Sequence, residues 1–62
     1  MWDNNISMWA EEIAFDGAVS MPGMSRSTLY RWARAMNEYL ESNKYEWRVR
    51  ANYKEGLIEV KR

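Results

Sequence analysis

Residues 22–34 read PGMSRSTLYRWAR and decide the fold of this 62-residue chain. Pro22 and Gly23 predict a loop, and Ser25 or Ser27 can cap a helix by accepting a hydrogen bond from a backbone N–H of its first turn. Apolar residues then recur at helical spacing, namely Leu29, Trp32, Ala33, Met36 and Leu40. No residue breaks this pattern before about Ser42, so the sequence predicts one long helix with polar and cationic groups opposite its apolar face.

Charge is distributed unevenly along the chain, although nine basic and nine acidic residues give a net charge of zero. Residues 24–36 contain three arginines and no acid, whereas residues 1–17 contain four acids and no lysine or arginine. Residues 44–62 contain six cations and three acids. A protein polarised in this way can meet phosphate with its basic side while its acidic side points away.

A shorter helix is predicted upstream of the long one. Its apolar residues follow the spacing of one helix face and are Ile6, Trp9, Ala10, Ile13 and Ala14. We expect this helix over residues 7–15, with Ser7 or Asn5 as its cap and Asp16-Gly17 as its end. Residues 16–24 contain two glycines and the only proline, and they predict a loop folded against the core.

The C-terminal third changes to the two-residue period of a strand, with Tyr45, Trp47, Val49 and Ala51 on one face. Residues 53–56 predict a turn that ends in glycine, and residues 57–60 a second strand. A two-stranded ribbon is marginal alone, so we expect the hairpin to pack on the long helix. The predicted fold is α+β: helix, structured loop, long helix and C-terminal β-hairpin, like a winged helix-turn-helix, in one small domain over residues 1–62.

Several function classes are excluded by composition. The chain has no cysteine and no histidine, and therefore lacks thiolate and imidazole ligands and the usual general base. Glu11 and Glu12 are adjacent, and on a helix they diverge by about 100° and cannot converge on one substrate. We expect no enzyme, no catalytic residue, no metal and no cofactor. No apolar run approaches the about 18 residues of a membrane span, and Asp3 stands where a signal peptide carries positive charge, so we expect a cytoplasmic protein without a membrane partner.

Aromatic residues supply much of the core, since the chain has four tryptophans, four tyrosines and one phenylalanine. Trp9, Trp32 and Trp47 are in phase with the apolar faces and are predicted to be core residues. Trp2 lies outside the first helical pattern. It can either pack onto that helix or anchor a protein partner.

The chain resembles the small winged-helix domains of phage excisionases and of the N-termini of Mu-type phage transposases and repressors. The resemblance is carried by Ser7, Glu12-Ile13-Ala14, Met21-Pro22-Gly23-Met24 and Ser27-Thr28-Leu29-Tyr30-Arg31-Trp32. It covers the order of elements over most of the chain and about a third of the chain in motif. Two departures are a connection of about nine residues between the helices, where a simple helix-turn-helix has three or four, and an unusually long second helix.

This resemblance implies a small DNA-binding protein, a phage or mobile-element regulator or a recombination directionality factor. Such a protein is expected to bind double-stranded DNA with the helix that starts near Ser25 in the major groove. Because a single short helix buries limited area, we expect a homodimer or a cooperative array. The implied DNA-binding residues are Arg26, Ser27, Tyr30, Arg31 and Arg34 on the helix, and Arg48, Arg50 and Lys54 on the hairpin wing.

Two other interpretations stay open. The helix arginines can simply solvate an exposed face, with Arg34 paired to Glu38 four residues on, and the hairpin cations can prevent edge-to-edge aggregation. The second hypothesis, consistent with the net charge of zero, is a protein-interaction module, such as a phage-encoded inhibitor or adaptor that binds a host protein through its acidic first helix and exposed aromatics.

Overall fold

Two helices and three strands make up the fold in the computed structural model, which describes residues 4–61. The elements are α1 (Asn4–Asp16), β1 (Ala18–Ser20), α2 (Arg26–Ser42), β2 (Arg48–Asn52) and β3 (Leu57–Lys61). The strands form one antiparallel sheet in the order β1-β3-β2. The predicted α+β class is therefore confirmed. Trp2 and Asp3 lie outside the described residues.

A single hydrophobic core joins both helices to one face of the sheet. The core residues with the largest fully buried side chains are Ile13, Leu29, Met36, Leu40, Val49 and Ile58. Trp9 and Trp32 are half-buried and meet edge to face, with ring centroids 4.9 Å apart, which ties α1 to α2. Trp47 is also half-buried against the core, so the three tryptophans predicted as core residues pack at its border.

Helix α1 is longer than predicted at its start. It begins at Asn4, so Asn5 and Ser7 lie inside the helix and the prediction that either one caps it is wrong. Asn and Ser favour cap positions because their side chains compete for backbone hydrogen bonds. Here Ile6 is buried in the core, and this packing extends the helix through Asn5. The predicted end is confirmed, since Gly17 has a φ of +87° and its N–H donates to the carbonyl of Ile13 at 2.7 Å.

The segment between the helices contains a strand where a loop was predicted. β1 pairs with β3, and Val19, which is buried, lies opposite Ile58. Three residues are too few to display a two-residue period, and the strand that pairs with them lies in the distant C-terminal part of the chain. The hairpin therefore forms two strands of a three-stranded sheet. The third strand adds backbone hydrogen bonds and buried apolar area that an isolated two-stranded ribbon lacks.

Helix α2 has the bounds expected from the sequence and ends in a Schellman motif. The N–H of Lys44 donates to the carbonyl of Glu41 at 3.1 Å, and the N–H of Tyr45 donates to that of Leu40 at 2.9 Å. This motif needs a left-handed residue just past the cap Asn43, and Lys44 supplies it with a φ of +61°. A side chain is strained there, because its Cβ approaches the neighbouring carbonyl.

We expect Lys44→Gly to raise the free energy of unfolding by about 0.5–1 kcal/mol, because glycine adopts this conformation without steric cost. Chemical denaturation followed by tryptophan fluorescence measures the change. Lys44→Ala is the matched control, since it removes the same charge and keeps the Cβ. An equal gain in both variants would show that charge, and not backbone strain, limits stability at this site.

The β2–β3 hairpin has regular pairing and a rigid turn. Val49 lies opposite Val60 and Ala51 opposite Ile58, so these four side chains share the face that meets α2. In the turn, the N–H of Gly56 donates to the carbonyl of Tyr53 at 3.1 Å, and Gly56 has the positive φ, +67°, that the sequence predicts.

Candidate nucleic-acid interface

The start of α2 is held by its cap. The Ser25 hydroxyl accepts a hydrogen bond from the Thr28 N–H at 3.3 Å and donates one to the Thr28 hydroxyl at 2.9 Å. Of the two cap candidates in the sequence, Ser25 is the cap and Ser27 lies inside the first turn. Ser27 is exposed and its direction is set by the helix that Ser25 starts.

The five predicted helix residues all face solvent. Leu29, Ala33, Met36 and Leu40 form the buried stripe, while the exposed residues are Arg26, Ser27, Tyr30, Arg31 and Arg34. At about 100° per residue these five fall into two groups. Ser27, Arg31 and Arg34 point away from the core, whereas Arg26 and Tyr30 lie on the flank beside the hairpin.

Arg26 and Tyr30 interact with each other on this flank. The guanidinium carbon of Arg26 lies 5.8 Å from the centroid of the Tyr30 ring, a cation–π arrangement. Both side chains line an open groove that separates the first turns of α2 from the hairpin. The hairpin side of this groove includes Arg50 and Lys54. Four of the eight predicted residues, two from α2 and two from the hairpin, therefore line this groove.

A second groove continues from the first along the free edge of β2. The two share Tyr30, Arg50 and Ala51, and Arg34 borders the second. Four predicted cations, Arg26, Arg34, Arg50 and Lys54, thus line two adjoining grooves, the second of which is also lined by Glu38 and Glu41. Arg34 also lies 3.8 Å from Glu38, as the helical spacing predicts, but both side chains are exposed and such a pair contributes at most about 1 kcal/mol.

The hairpin arginines already have partners within the chain. Arg48 is half-buried, and its Nη1 donates to the carbonyls of Tyr45 at 2.7 Å and Trp47 at 2.8 Å. Arg50 donates from Nε to the Glu59 carboxylate at 2.9 Å across the β2–β3 pair. Contact of these arginines with DNA stays a prediction, and it would have to use their remaining guanidinium donors. Lys54 is exposed in the hairpin turn.

Two residues of this surface are not indicated as contact residues by the sequence pattern. Tyr53 was assigned only to the turn, yet its side chain is 53% exposed and lines the groove opposite Tyr30. The amide of Asn37 makes two hydrogen bonds with the backbone of Val49 at the edge of β2. The one sequence signal for Tyr53 as a contact residue is its position as a single aromatic in a turn that ends in glycine. No sequence signal indicates that Asn37 bonds to Val49.

Helix α1 carries an exposed surface of apolar and acidic residues. Met8 is 62% and Phe15 90% exposed, and Glu11 and Glu12 lie exposed between them in sequence. These acids belong to the predicted protein-binding helix. Solvent-exposed apolar residues beside like charges can mark a contact surface, although single exposed residues are also ordinary on soluble proteins.

Metal and membrane sites find no support in the same part of the chain. Among residues 4–61, no three His, Cys, Asp or Glu side chains come together in a way that could hold a metal ion. Neither of the two described helices is long and apolar enough to cross a membrane.

No protein-family model, curated protein or solved structure matches this chain.

Proposed function

We propose that this chain is a small protein that binds double-stranded DNA, with the start of α2 in the major groove and the β2–β3 hairpin as a wing. One observation carries the proposal: cations from α2 and from the hairpin, Arg26, Arg34, Arg50 and Lys54, line two adjoining grooves although they are distant in sequence. The first twelve residues of α2, 26–37, include three arginines and no acid.

The chemistry of this surface suits a duplex. A helix fits the major groove, which is about 12 Å wide, and arginine pairs with guanine edges or with phosphates. Ser27, Arg31 and Arg34 lie on the outermost face of α2, where a base edge or phosphate can be reached, and the positive end of the helix dipole adds to the charge of Arg26 in the first turn. Lys54 in the turn is suited to the flanking backbone.

The biological role that the resemblance implies is that of a phage or mobile-element regulator or a recombination directionality factor. Such a protein acts by contact and performs no reaction, and it needs no cofactor. A single small module buries only about 600–1,000 Å² on DNA, so we further propose that it binds as a homodimer or as a cooperative array.

The test is duplex binding by fluorescence anisotropy over a series of salt concentrations from about 50 to 200 mM. For Arg31→Ala/Arg34→Ala we expect at least about tenfold weaker binding. The slope of log K against log salt should be smaller by about two, because each arginine that no longer neutralises a phosphate lowers it by about one. Both side chains are exposed, so the variant keeps its fold.

A matched control removes two cations elsewhere. Lys44 follows the C-terminus of α2, and Lys61 lies at the end of β3 opposite Arg48, away from the hairpin turn. Lys44→Ala/Lys61→Ala lowers the net charge by the same amount and should leave most of the affinity. Equal losses in both double variants, or no duplex binding by the wild type at low salt, would refute the proposed function.

The second candidate function is a protein-interaction module, such as a phage-encoded inhibitor or adaptor of a host protein. The observation that favours it is the exposure of Phe15 and Met8 on a helix whose exposed charges are acidic. It becomes the better proposal if the wild-type protein fails to bind duplex in the experiment above.

A further inference from the structure

The groove between α2 and the hairpin has the volume of a small-ligand site. Its volume is about 640 Å³, within the about 300–1,000 Å³ of ordinary small-ligand sites. A volume of this size can hold one or two nucleotides, so the interior of the groove offers a site for a ligand smaller than a duplex.

Aromatic rings stand on both sides of this groove. Tyr30 comes from α2 and is 48% exposed, and Tyr53 comes from the hairpin turn and is similarly exposed. Arg26 lies over the Tyr30 ring and extends the flat surface that this side offers. Exposed aromatic rings beside cations are the elements with which proteins hold unpaired bases, because every base has a face that can stack.

The groove also carries an excess of positive charge. Its cations are Arg26, Arg50 and Lys54, and its one carboxylate is Glu59. Glu59 accepts hydrogen bonds from Arg50 at 2.9 Å and from the Asn52 amide at 3.4 Å, so its charge is compensated within the chain. Arg26 from α2 and Lys54 from the hairpin turn supply the rest of the positive charge for the phosphates of a strand.

The side that carries Tyr53 and Lys54 is rigid. Inside the turn, the side-chain oxygen of Asn52 accepts a hydrogen bond from the Glu55 N–H at 3.1 Å. The Gly56 carbonyl accepts one from the Met21 N–H at 2.9 Å, which ties the turn to the segment before α2. A turn held in this way presents Tyr53 and Lys54 with little ordering cost on binding.

We propose that this groove binds an unpaired nucleotide strand, with bases stacked on Tyr30 and Tyr53 and phosphates bound by Arg26 and Lys54. The site adds a second ligand to the proposed duplex function. It shares Arg26, Tyr30 and Lys54 with the predicted duplex contacts, whereas Ser27, Arg31 and Arg34 do not line it. The recognised chemistry is a base together with a phosphate, and it is common to single-stranded DNA and RNA.

The experiment measures anisotropy of labelled oligo(dT) and oligo(rU) of about twelve nucleotides, within the range of about 4–16 that a small single-strand site covers. We expect Tyr53→Leu and Tyr30→Leu each to weaken binding by about 5- to 100-fold, the value of one stacked base. Tyr53→Phe keeps the ring and should bind within about twofold of the wild type.

Phe15→Leu is the matched control, because it removes an exposed ring from α1, outside the groove, and should leave the affinity unchanged. An abasic strand of equal length carries the same phosphates and should bind at least about tenfold more weakly than oligo(dT). Thermal unfolding of each variant checks that the fold is intact.

Each outcome decides the proposal. Ring-dependent binding of either oligonucleotide supports it, and the tighter of the two identifies the sugar. Binding of neither strand, equal losses in Tyr53→Leu and Phe15→Leu, or equal affinity for the abasic strand overturns it. Duplex binding that survives the tyrosine variants but disappears in Arg31→Ala/Arg34→Ala would separate this site from the duplex face, so that either function can fail alone.

Discussion

Met36→Ala is expected to lower the free energy of unfolding by about 2–5 kcal/mol. The Met36 side chain is completely buried, in the middle of α2 and within the one core that joins both helices to the sheet. Truncation removes its apolar contacts and leaves a cavity. A domain of this length has a total stability of roughly 3–9 kcal/mol, so the variant should lose a large part of it and unfold at a much lower urea concentration.

Urea denaturation followed by tryptophan fluorescence measures this loss, since Trp9 and Trp32 pack against the same core. Met8→Ala is the matched control: the same atoms are removed from an exposed site on α1, and we expect a change within about 0.5 kcal/mol. Similar losses in the two variants would mean that α2 does not pack on the sheet as described.

Asn37→Ala is expected to cost about 2–3 kcal/mol. The Asn37 side chain donates to the Val49 carbonyl at 3.0 Å and accepts from the Val49 N–H at 2.8 Å, so one amide satisfies both backbone groups at the free edge of β2. Val49 itself is buried, and removal of this partner leaves two backbone groups with poor access to water.

Urea denaturation measures the cost, and amide hydrogen exchange locates it, because the Val49 N–H should lose its protection in the variant. Asn43→Ala is the matched control. The Asn43 amide donates a single hydrogen bond, at 2.8 Å, to the exposed carbonyl of Tyr39, which water can replace, so we expect a loss of only about 0.5–1 kcal/mol. Unchanged protection of Val49 in Asn37→Ala would contradict the edge contact.

The same two hydrogen bonds limit where another strand could add to the sheet. In an antiparallel pair, successive residues point their backbone groups alternately toward and away from the partner strand, so Ala51 points the same way as Val49. Asn37 occupies this edge at Val49 and lies beside the groove along β2. Helix α2 therefore occupies the edge of β2 at Val49 and lines the groove beside it.

Much of the fold could be predicted because its signals are local. The Ser25 cap, the apolar stripe of α2 and the glycine of the hairpin turn each depend on residues within a few positions of one another, and all three are confirmed. The order of elements and the core role of Leu29 and Met36 follow from periodicity in the same way.

The errors have a common cause in contacts between distant segments. The start of α1 and the strand β1 were missed because packing against the core and pairing with β3 override weak local preferences. The exposure of the five predicted helix residues was foreseeable from helical phase. The partners of Arg48 and Arg50 were not, because they depend on how the hairpin and the preceding loop fold together.

By itself, the sequence determined a capped amphipathic helix with an arginine-rich exposed face, a following hairpin and a separation of acidic from basic residues, since these follow from spacing along the chain. The tertiary structure shows in addition that Tyr30 and Tyr53 line one groove, that Asn37 bonds the edge of β2 at Val49, and that Glu59 pairs with Arg50. Each of these contacts joins residues that are distant in sequence. It therefore depends on how the helices and strands pack, and spacing along the chain does not reveal it.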